Sequence, residues 1–253
     1  MRDGIPRPRL REYAALFVLT LSVGLSAVDR NMLGLLLPLI RQDIVISDTE
    51  LGLLIGPAFM IVYSLSGLPI AWIADRTGRR NIIAVGLVVW SAILVLTGFA
   101  ATLMQLLILR MLLAVGEATN MAPSSALIGD MFRDRYRMMA MAVLSAGGAL
   151  AIMAFYPFIG WLAQHRGWQL VYPVMGGIGL LTALLVMGIV RDHEKEVDET
   201  PVADGELGFK SAVGTLLRTR SYVFLCLAGA AVSVNYSVLL LWLPTFSERI
   251  HGL

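Results

Sequence analysis

The sequence predicts an all-α polytopic membrane protein, and three observations carry that prediction. Apolar residues make up 57% of the 253 residues and charged residues only 15%, with a mean hydropathy of +0.75. Soluble domains hold about 45–50% apolar and about 25% charged residues. The apolar residues gather into runs of about 20 or more, the length a helix needs to cross the hydrocarbon core. The arginines and lysines concentrate in alternate connections between those runs, the asymmetry of a positive-inside topology.

The runs are 12–40, 50–74, 81–101, 104–128, 138–163, 168–190 and 221–246. Pro38, Pro57, Pro69, Pro123, Pro157 and Pro173 fall inside them. They do not argue against helices here, because neighbouring helices satisfy the freed backbone groups and lipid forbids open alternatives. With the N-terminus inside, the cytoplasmic segments hold Arg2, Arg7, Arg9 and Arg11, then Arg76, Arg79 and Arg80, then Arg133, Arg135 and Arg137. The longest connection adds Arg191, Lys195, Lys210, Arg218 and Arg220. Only Arg30, Arg41, Arg110, Arg166 and Arg249 stand elsewhere. The expected location is therefore a multi-pass position in an inner or plasma membrane with a cytoplasmic N-terminus.

The connection between the sixth and seventh runs has two parts. Residues 191–206 are acidic, contain Pro201 and read as a flexible linker. From Glu206 to Arg220, Leu207, Phe209, Val213, Leu216 and Leu217 recur at roughly helical spacing among basic residues, as in a short amphipathic helix at a membrane surface. The chain divides accordingly into a six-helix unit (1–190), a cytoplasmic linker (191–220) and one further helix (221–253). Six helices, a charged loop and one more helix form the pattern of a twelve-helix transporter cut early in its second half. A second half or an oligomer is then required for transport, since alternating access rocks one half against another. A truncated, non-transporting membrane module is the alternative.

The net charge of +2 gives no reason to expect nucleic acid. The single cysteine, Cys226, makes no internal disulfide, and no Cys/His cluster suggests a metal or other cofactor. An intramembrane enzyme is not expected either. Asp29 is the only aspartate deep in a run, and His165, His193 and His251 all fall in connections, so neither an aspartyl pair nor a Ser/His dyad is available.

Four ionisable residues lie well inside the runs: Asp29, Arg30, Arg110 and Glu117. Each costs about 2.5–3.5 kcal/mol at the bilayer centre on insertion scales, so each is expected to face the bundle interior or a wet cavity. Their charges sum to zero. Arg110 and Glu117 are seven residues apart, hence nearly on one helix face and about 10 Å apart along the axis. Asp29 and Arg30 are neighbours pointing about 100° apart, so at least one must reach another helix. Two readings are open. The four form a midplane substrate site with Glu117 or Asp29 as proton carrier, or they lock the first and fourth spans together. Tyr63 and Asn120 are further candidates for lining a cavity, with Tyr156, Asn235 and Tyr236 behind them. Trp72, Trp90, Trp161, Trp168 and Trp242 are assigned mostly to anchoring at the interfaces. The glycine pairs Gly147-Gly148 and Gly176-Gly177 are assigned to close helix packing.

The loop after the second run reads Asp75-Arg76-Thr77-Gly78-Arg79-Arg80. It resembles the signature of the major facilitator superfamily, Gly-x-x-x-Asp-Arg-x-Gly-Arg-Arg, with Ala71 where the first glycine belongs. The resemblance implies an N-terminal six-helix bundle of that superfamily plus one further transmembrane helix. It also implies that Asp75, Arg76, Gly78, Arg79 and Arg80 govern conformational switching through ion pairs, with Asp130 as a partner for Arg79 or a neighbour. The run from Arg110 to Gly116 is similar to the family's Arg-x-x-x-Gly-x-Gly motif, with Ala114 replacing the first glycine. Asp29-Arg30-Asn31, Gly116-Glu117-Ala118 and Ile128 to Phe132 together resemble the Spinster-like branch, which includes sphingolipid and lysolipid transporters. That likeness places Asp29, Arg30 and Glu117 in a central cavity and in proton-linked transport of an amphiphilic solute. The organic anion:cation symporter branch shares the Asp-Arg-x-Asn and Gly-x-Glu patterns, and there the arginine meets a substrate carboxylate.

Overall fold

The computed structural model describes residues 10–132, 134–191 and 209–232. The chain divides into two compact units, Met1–Glu196 and Val197–Leu253, and every described element is a helix or a short connection between helices. In the first unit α1 spans Leu10–Asp43, α2 Asp48–Ile55, α3 Pro57–Thr77, α4 Arg79–Thr97, α5 Leu103–Ala118, α6 Met121–Met131, α7 Asp134–Arg166 and α8 Trp168–Ile189. The second unit contains α9, Phe209–Arg218, and α10, Arg220–Val232.

Six segments of the first unit are long and apolar enough to cross a membrane. They correspond to the first six runs of the sequence, but two of them are interrupted. The second is broken at Gly56-Pro57, where α2 ends and α3 begins. Pro57 sits at the first helical position of α3, where its missing N–H costs nothing. The fourth is broken at Thr119-Asn120, between α5 and α6. The amphipathic stretch of the long connection is helical as α9, while Glu206 and Leu207 lie outside the described residues. Of the expected seventh span, Arg220–Val232 is an apolar helix and residues 233–246 lie outside the described set.

Hairpins are turned by glycine. Gly78 alone separates α3 from α4 with φ of 96°, and Gly167 alone separates α7 from α8 with φ of 85°. Both occupy the left-handed region that side chains with a Cβ avoid. This is the physical content of the glycine in the 75–80 loop.

Within the bundle α4 packs most extensively on α8, and α1 on α7. Lipid tails are as apolar as leucine, so association relies on close approach of small residues rather than on hydrophobic driving force. A Cβ on Gly24 of α1 would lie 2.7 Å from the Ala151 Cβ and 3.0 Å from the Gly147 carbonyl oxygen of α7. A Cβ on Gly176 of α8 would lie 2.7 Å from the Ser91 carbonyl oxygen of α4. Gly86 of α4 faces the Thr119 side chain at the α5–α6 break. The core between these seams is aliphatic, with Leu19, Leu25, Val28, Met32, Leu36 and Ile40 of α1 almost wholly buried.

Polar contacts fasten the two ends of the bundle. At one end the Asp43 Oδ2 of α1 accepts from Trp168 Nε1 and Gln169 Nε2, both at 2.8 Å. At the other, Arg11 Nε donates to the Ile189 carbonyl at 3.3 Å, Arg80 donates to the Met187 carbonyl, and Arg79 pairs with Asp130.

Gly24→Leu is expected to force α1 from α7 and to lower stability by about 1–3 kcal/mol or more, read as an earlier thermal unfolding transition of the purified protein in detergent. Gly34, whose Cβ would meet nothing within 4 Å, serves as the control: Gly34→Leu should leave the transition unchanged.

Candidate functional site

The breaks in α2–α3 and α5–α6 lie beside the four central charges. Asp29 and Arg30 occupy the middle of α1, and Arg110 and Glu117 occupy α5, with Glu117 one residue before its end. The two helices are joined by crossed ion pairs. Arg30 Nη1 contacts Glu117 Oε2 at 2.7 Å, and Arg110 Nη1 contacts Asp29 Oδ2 at 3.4 Å. Arg110 also donates from Nη1 to the Asp29 carbonyl at 3.4 Å and from Nη2 to the Arg30 carbonyl at 3.0 Å. Arg110 therefore grips two residues of α1, Asp29 through its carboxylate and carbonyl and Arg30 through its carbonyl, while Arg30 reaches across to Glu117 of α5. The sequence required at least one of Asp29 and Arg30 to find a partner on another helix; both do.

Burial distinguishes the members. The side chains of Asp29, Arg110 and Glu117 are at most 6% exposed, whereas that of Arg30 is 31% exposed. The two acids of the group are Glu117 and Asp29. Each retains one buried oxygen, Glu117 Oε1 and Asp29 Oδ1, that meets no hydrogen-bond donor among the described residues.

Two aromatic rings of α3 support the arginines. Phe59 and Tyr63 stack with centroids 5.7 Å apart. The Arg110 guanidinium lies 4.7 Å from the Phe59 ring and that of Arg30 lies 5.9 Å from the Tyr63 ring. Such cation–π contacts are worth more when desolvated. Phe59 was not singled out by the sequence, although an aromatic pair at i and i+4 marks one helix face. Arg30, Tyr63, Phe59, Met60 and Met121 line a cavity of about 400 Å³ that continues along Val23 and Ala27 of α1 and Leu144 and Ser145 of α7. Its lining is apolar apart from the Arg30 guanidinium, the Tyr63 ring with its hydroxyl, and Ser145.

Asn120 departs from expectation. It is 2% exposed, and its amide is consumed within the bundle. Ser22 Oγ and Ser124 Oγ donate to Oδ1 at 2.9 and 3.2 Å, and Nδ2 donates to Ser26 Oγ at 2.9 Å. It joins the break in α5–α6 to α1 instead of lining the cavity, because a buried amide must find partners and three serines supply them. Trp90 and Trp168 also depart from it. Both were assigned to the interfaces, yet they are 1% and 2% exposed. Trp90 Nε1 points to Asp29 Oδ2 at 3.4 Å. Gly116 and Gly179 make room for it: a Cβ on Gly116 would lie 2.9 Å from the Trp90 Cβ, and one on Gly179 would lie 2.6 Å from its ring. Trp72 and Trp161 remain partly exposed, while Trp242, Asn235 and Tyr236 lie outside the described residues. Tyr156 is half-buried and packs against the core.

The loop group lies at the end of the bundle that carries Arg11. Arg79 of α4 reaches Asp130 of α6, the pairing anticipated from the sequence. Arg76 stacks on Trp72 with its guanidinium 3.6 Å from the ring centre, Arg80 caps α8 through Met187, and Gly78 makes the turn. The side chain of Asp75 lies outside the described ones.

The family model described as Major Facilitator Superfamily matches residues 19–253. A major-facilitator-type efflux pump of Mycolicibacterium smegmatis is 31% identical over 96% of this chain and 56% of its own length. A D-galactonate transporter of Escherichia coli is 27% identical over 71% of the chain and 41% of its own length. The probable galactarate/D-glucarate transporter of Bacillus subtilis is 27% identical over 94% and 57%. The crystal structure of a bacterial homologue of the human lysosomal transporter Spinster, inward-facing and unoccupied, superposes with a TM-score of 0.75 at 29% identity, covering 98% of this chain and 57% of that one. The chain thus spans about half the length of the curated relatives it matches. The relatives are transporters, not enzymes.

Asp29→Ala is expected to leave the buried Arg110 guanidinium without its carboxylate and to cost about 3–5 kcal/mol, measured by thermal unfolding in detergent. Trp90→Phe, which removes one long hydrogen bond and keeps most of the ring, should cost about 1 kcal/mol.

Proposed function

The chain belongs to the major facilitator superfamily, and on that premise we propose that it forms the N-terminal half of a proton-coupled secondary transporter for an organic anion with an apolar body. The carrying observation is the placement of Arg30. Its guanidinium borders the cavity on one side and holds buried Glu117 on the other.

That placement suggests a competition. A solute carboxylate or phosphate arriving in the cavity meets Arg30 as the only cation among the described residues of its lining. Each interaction the solute makes with the guanidinium weakens the hold on Glu117. A carboxylate losing its counter-ion in a low-dielectric interior is stabilised by taking up a proton. Glu117 Oε1 and Asp29 Oδ1, both buried and without donors, are the atoms on which such a proton would sit. The proton then replaces Arg30 in neutralising Glu117, while Arg110 keeps Asp29 in place. Solute and proton are thereby linked through one guanidinium. Tyr63 flanks the anionic group, and Val23, Met60, Met121 and Leu144 contact the apolar part of the solute.

The relatives support the anionic part of this reading, since several are named as transporters of sugar acids. The apolar lining favours an amphiphilic solute. Asp75, Arg76, Gly78, Arg79, Arg80 and Asp130 serve as the gating group, and the Arg79–Asp130 pair is the member that a conformational change would open. Arginine placement supports a cytoplasmic N-terminus. Alternating access needs an opposing half around the midplane site, supplied by further sequence or by a second copy.

Reconstituted into liposomes with an inward proton gradient, the protein is expected to accumulate an organic anion from a panel of sugar acids and single-chain phospholipids. Glu117→Gln should abolish pH-driven accumulation yet preserve solute exchange at equal pH. Undiminished pH-driven flux in that variant would overturn the proton-carrier role. Arg30→Gln should abolish both activities, and retained exchange would overturn the anion site.

A further inference from the structure

On the outer face of the bundle, away from the central charges, lies a second cavity of about 230 Å³ formed by Asn81, Ala84, Val85, Val88 and Val89 of α4 with Met187 of α8. The α4 residues are spaced i, i+3, i+4, i+7 and i+8, so they form a single stripe down one helix face. From Asn81 to Val89 the stripe descends about 12 Å along the axis. It begins polar and becomes wholly aliphatic. Val85, Val88, Val89 and Met187 are 44–61% exposed, unlike the buried Trp90 and Ser91 that α4 turns to Gly176 and Gly179 of α8.

Charge collects at the polar end of this groove and nowhere else along it. Arg80 precedes Asn81 and donates to the carbonyl of Met187, which itself lines the groove. Arg11 donates to the carbonyl of Ile189, two residues further on. Arg191 follows the end of α8 and is exposed. Among the described residues at this end of α1, α4 and α8, Arg11, Arg80 and Arg191 outnumber the one acid, Glu12, and Arg79 pairs with Asp130 of α6. A cationic mouth over an aliphatic trough is complementary to a molecule with an anionic head and a hydrocarbon tail.

We propose that this groove is a binding site for an anionic phospholipid of the surrounding bilayer. The phosphate lies at Arg80, Asn81 and Arg11, and one acyl chain lies along Val85, Val88 and Val89 against Met187. Arg80 and Arg11 also cap the last carbonyls of α8, so the lipid headgroup bears on the same guanidiniums that tie α8 to α4 and α1. The bound lipid acts as a third member of that fastening. The inference requires only that the protein sits in a bilayer and is independent of which solute it carries.

Native mass spectrometry of the detergent-purified, delipidated protein tests it, with phosphatidylglycerol or phosphatidylcholine of identical chains added back. Phosphatidylglycerol is expected to be retained in preference, and Arg80→Gln and Arg11→Gln should each weaken that retention about fivefold. Val88→Trp fills the trough, touches no arginine and should displace the lipid while circular dichroism stays unchanged, which keeps the test decisive even where Arg80→Gln unsettles α8. Equal retention of the two lipids would reduce the groove to ordinary lipid contact. Full retention in Val88→Trp would remove the acyl seat. Complete displacement of phosphatidylglycerol by inorganic phosphate would show a free-anion site. Each of these three outcomes overturns the proposal.

Discussion

The crossed pairing of Arg30 with Glu117 and of Arg110 with Asp29 is the constraint around which the first unit is organised. Four charges at membrane depth are tolerable only if each finds its counter-charge inside the bundle, and here all four lie where α1 meets α5. Their positions fix the rotation and height of α1 relative to α5 more tightly than aliphatic packing does, because a leucine tolerates sliding and an ion pair does not. Phe59 and Tyr63 bring α3 to the arginines, Trp90 brings α4 to Asp29, and the Asn120 network brings the start of α6 to α1. Five helices are thus referred to one small group of atoms.

The glycines make this approach possible. Trp90 reaches Asp29 only because Gly116 and Gly179 offer no Cβ at the places its backbone and ring occupy. Gly116 belongs to the stretch that resembles a family motif on sequence grounds, and its physical role is to let α4 press against α5. The serine and threonine side chains follow a different logic. Thr97 and Thr182 return their hydroxyls to carbonyls four residues earlier, which hides a polar group in lipid at no cost to packing.

Much of the fold was legible in the sequence because lipid imposes a coarse rule: runs of about 20 apolar residues are helices. The four central charges were legible for the same reason, being conspicuous in apolar surroundings. Burial of individual residues was harder to read. Tryptophan is suited to the interface and to a core whose polar tip has a partner, and only the fold shows that Trp90 and Trp168 have carboxylates within reach. Asn120 looked available for a solute because two of its three serine partners, Ser22 and Ser26, lie about a hundred residues away in the chain. The breaks at Gly56-Pro57 and Thr119-Asn120 were likewise hidden, since each apolar run continues on both sides of its break. Phe59 escaped notice among many apolar neighbours, and only its ring's position under Arg110 distinguishes it.

The fastenings at the two ends of the bundle differ in kind. At the end marked by Asp43, one carboxylate oxygen receives both the Trp168 and the Gln169 donor, so the two contacts share a single point of failure. At the opposite end, Arg11, Arg79 and Arg80 close on three separate acceptors in α8 and α6. One end is a clasp that is either shut or undone, and the other is a row of laces that loosens one at a time. The molecule is therefore mechanically polar along the membrane normal: disturbance at the Asp43 end is abrupt, and disturbance at the arginine end is graded.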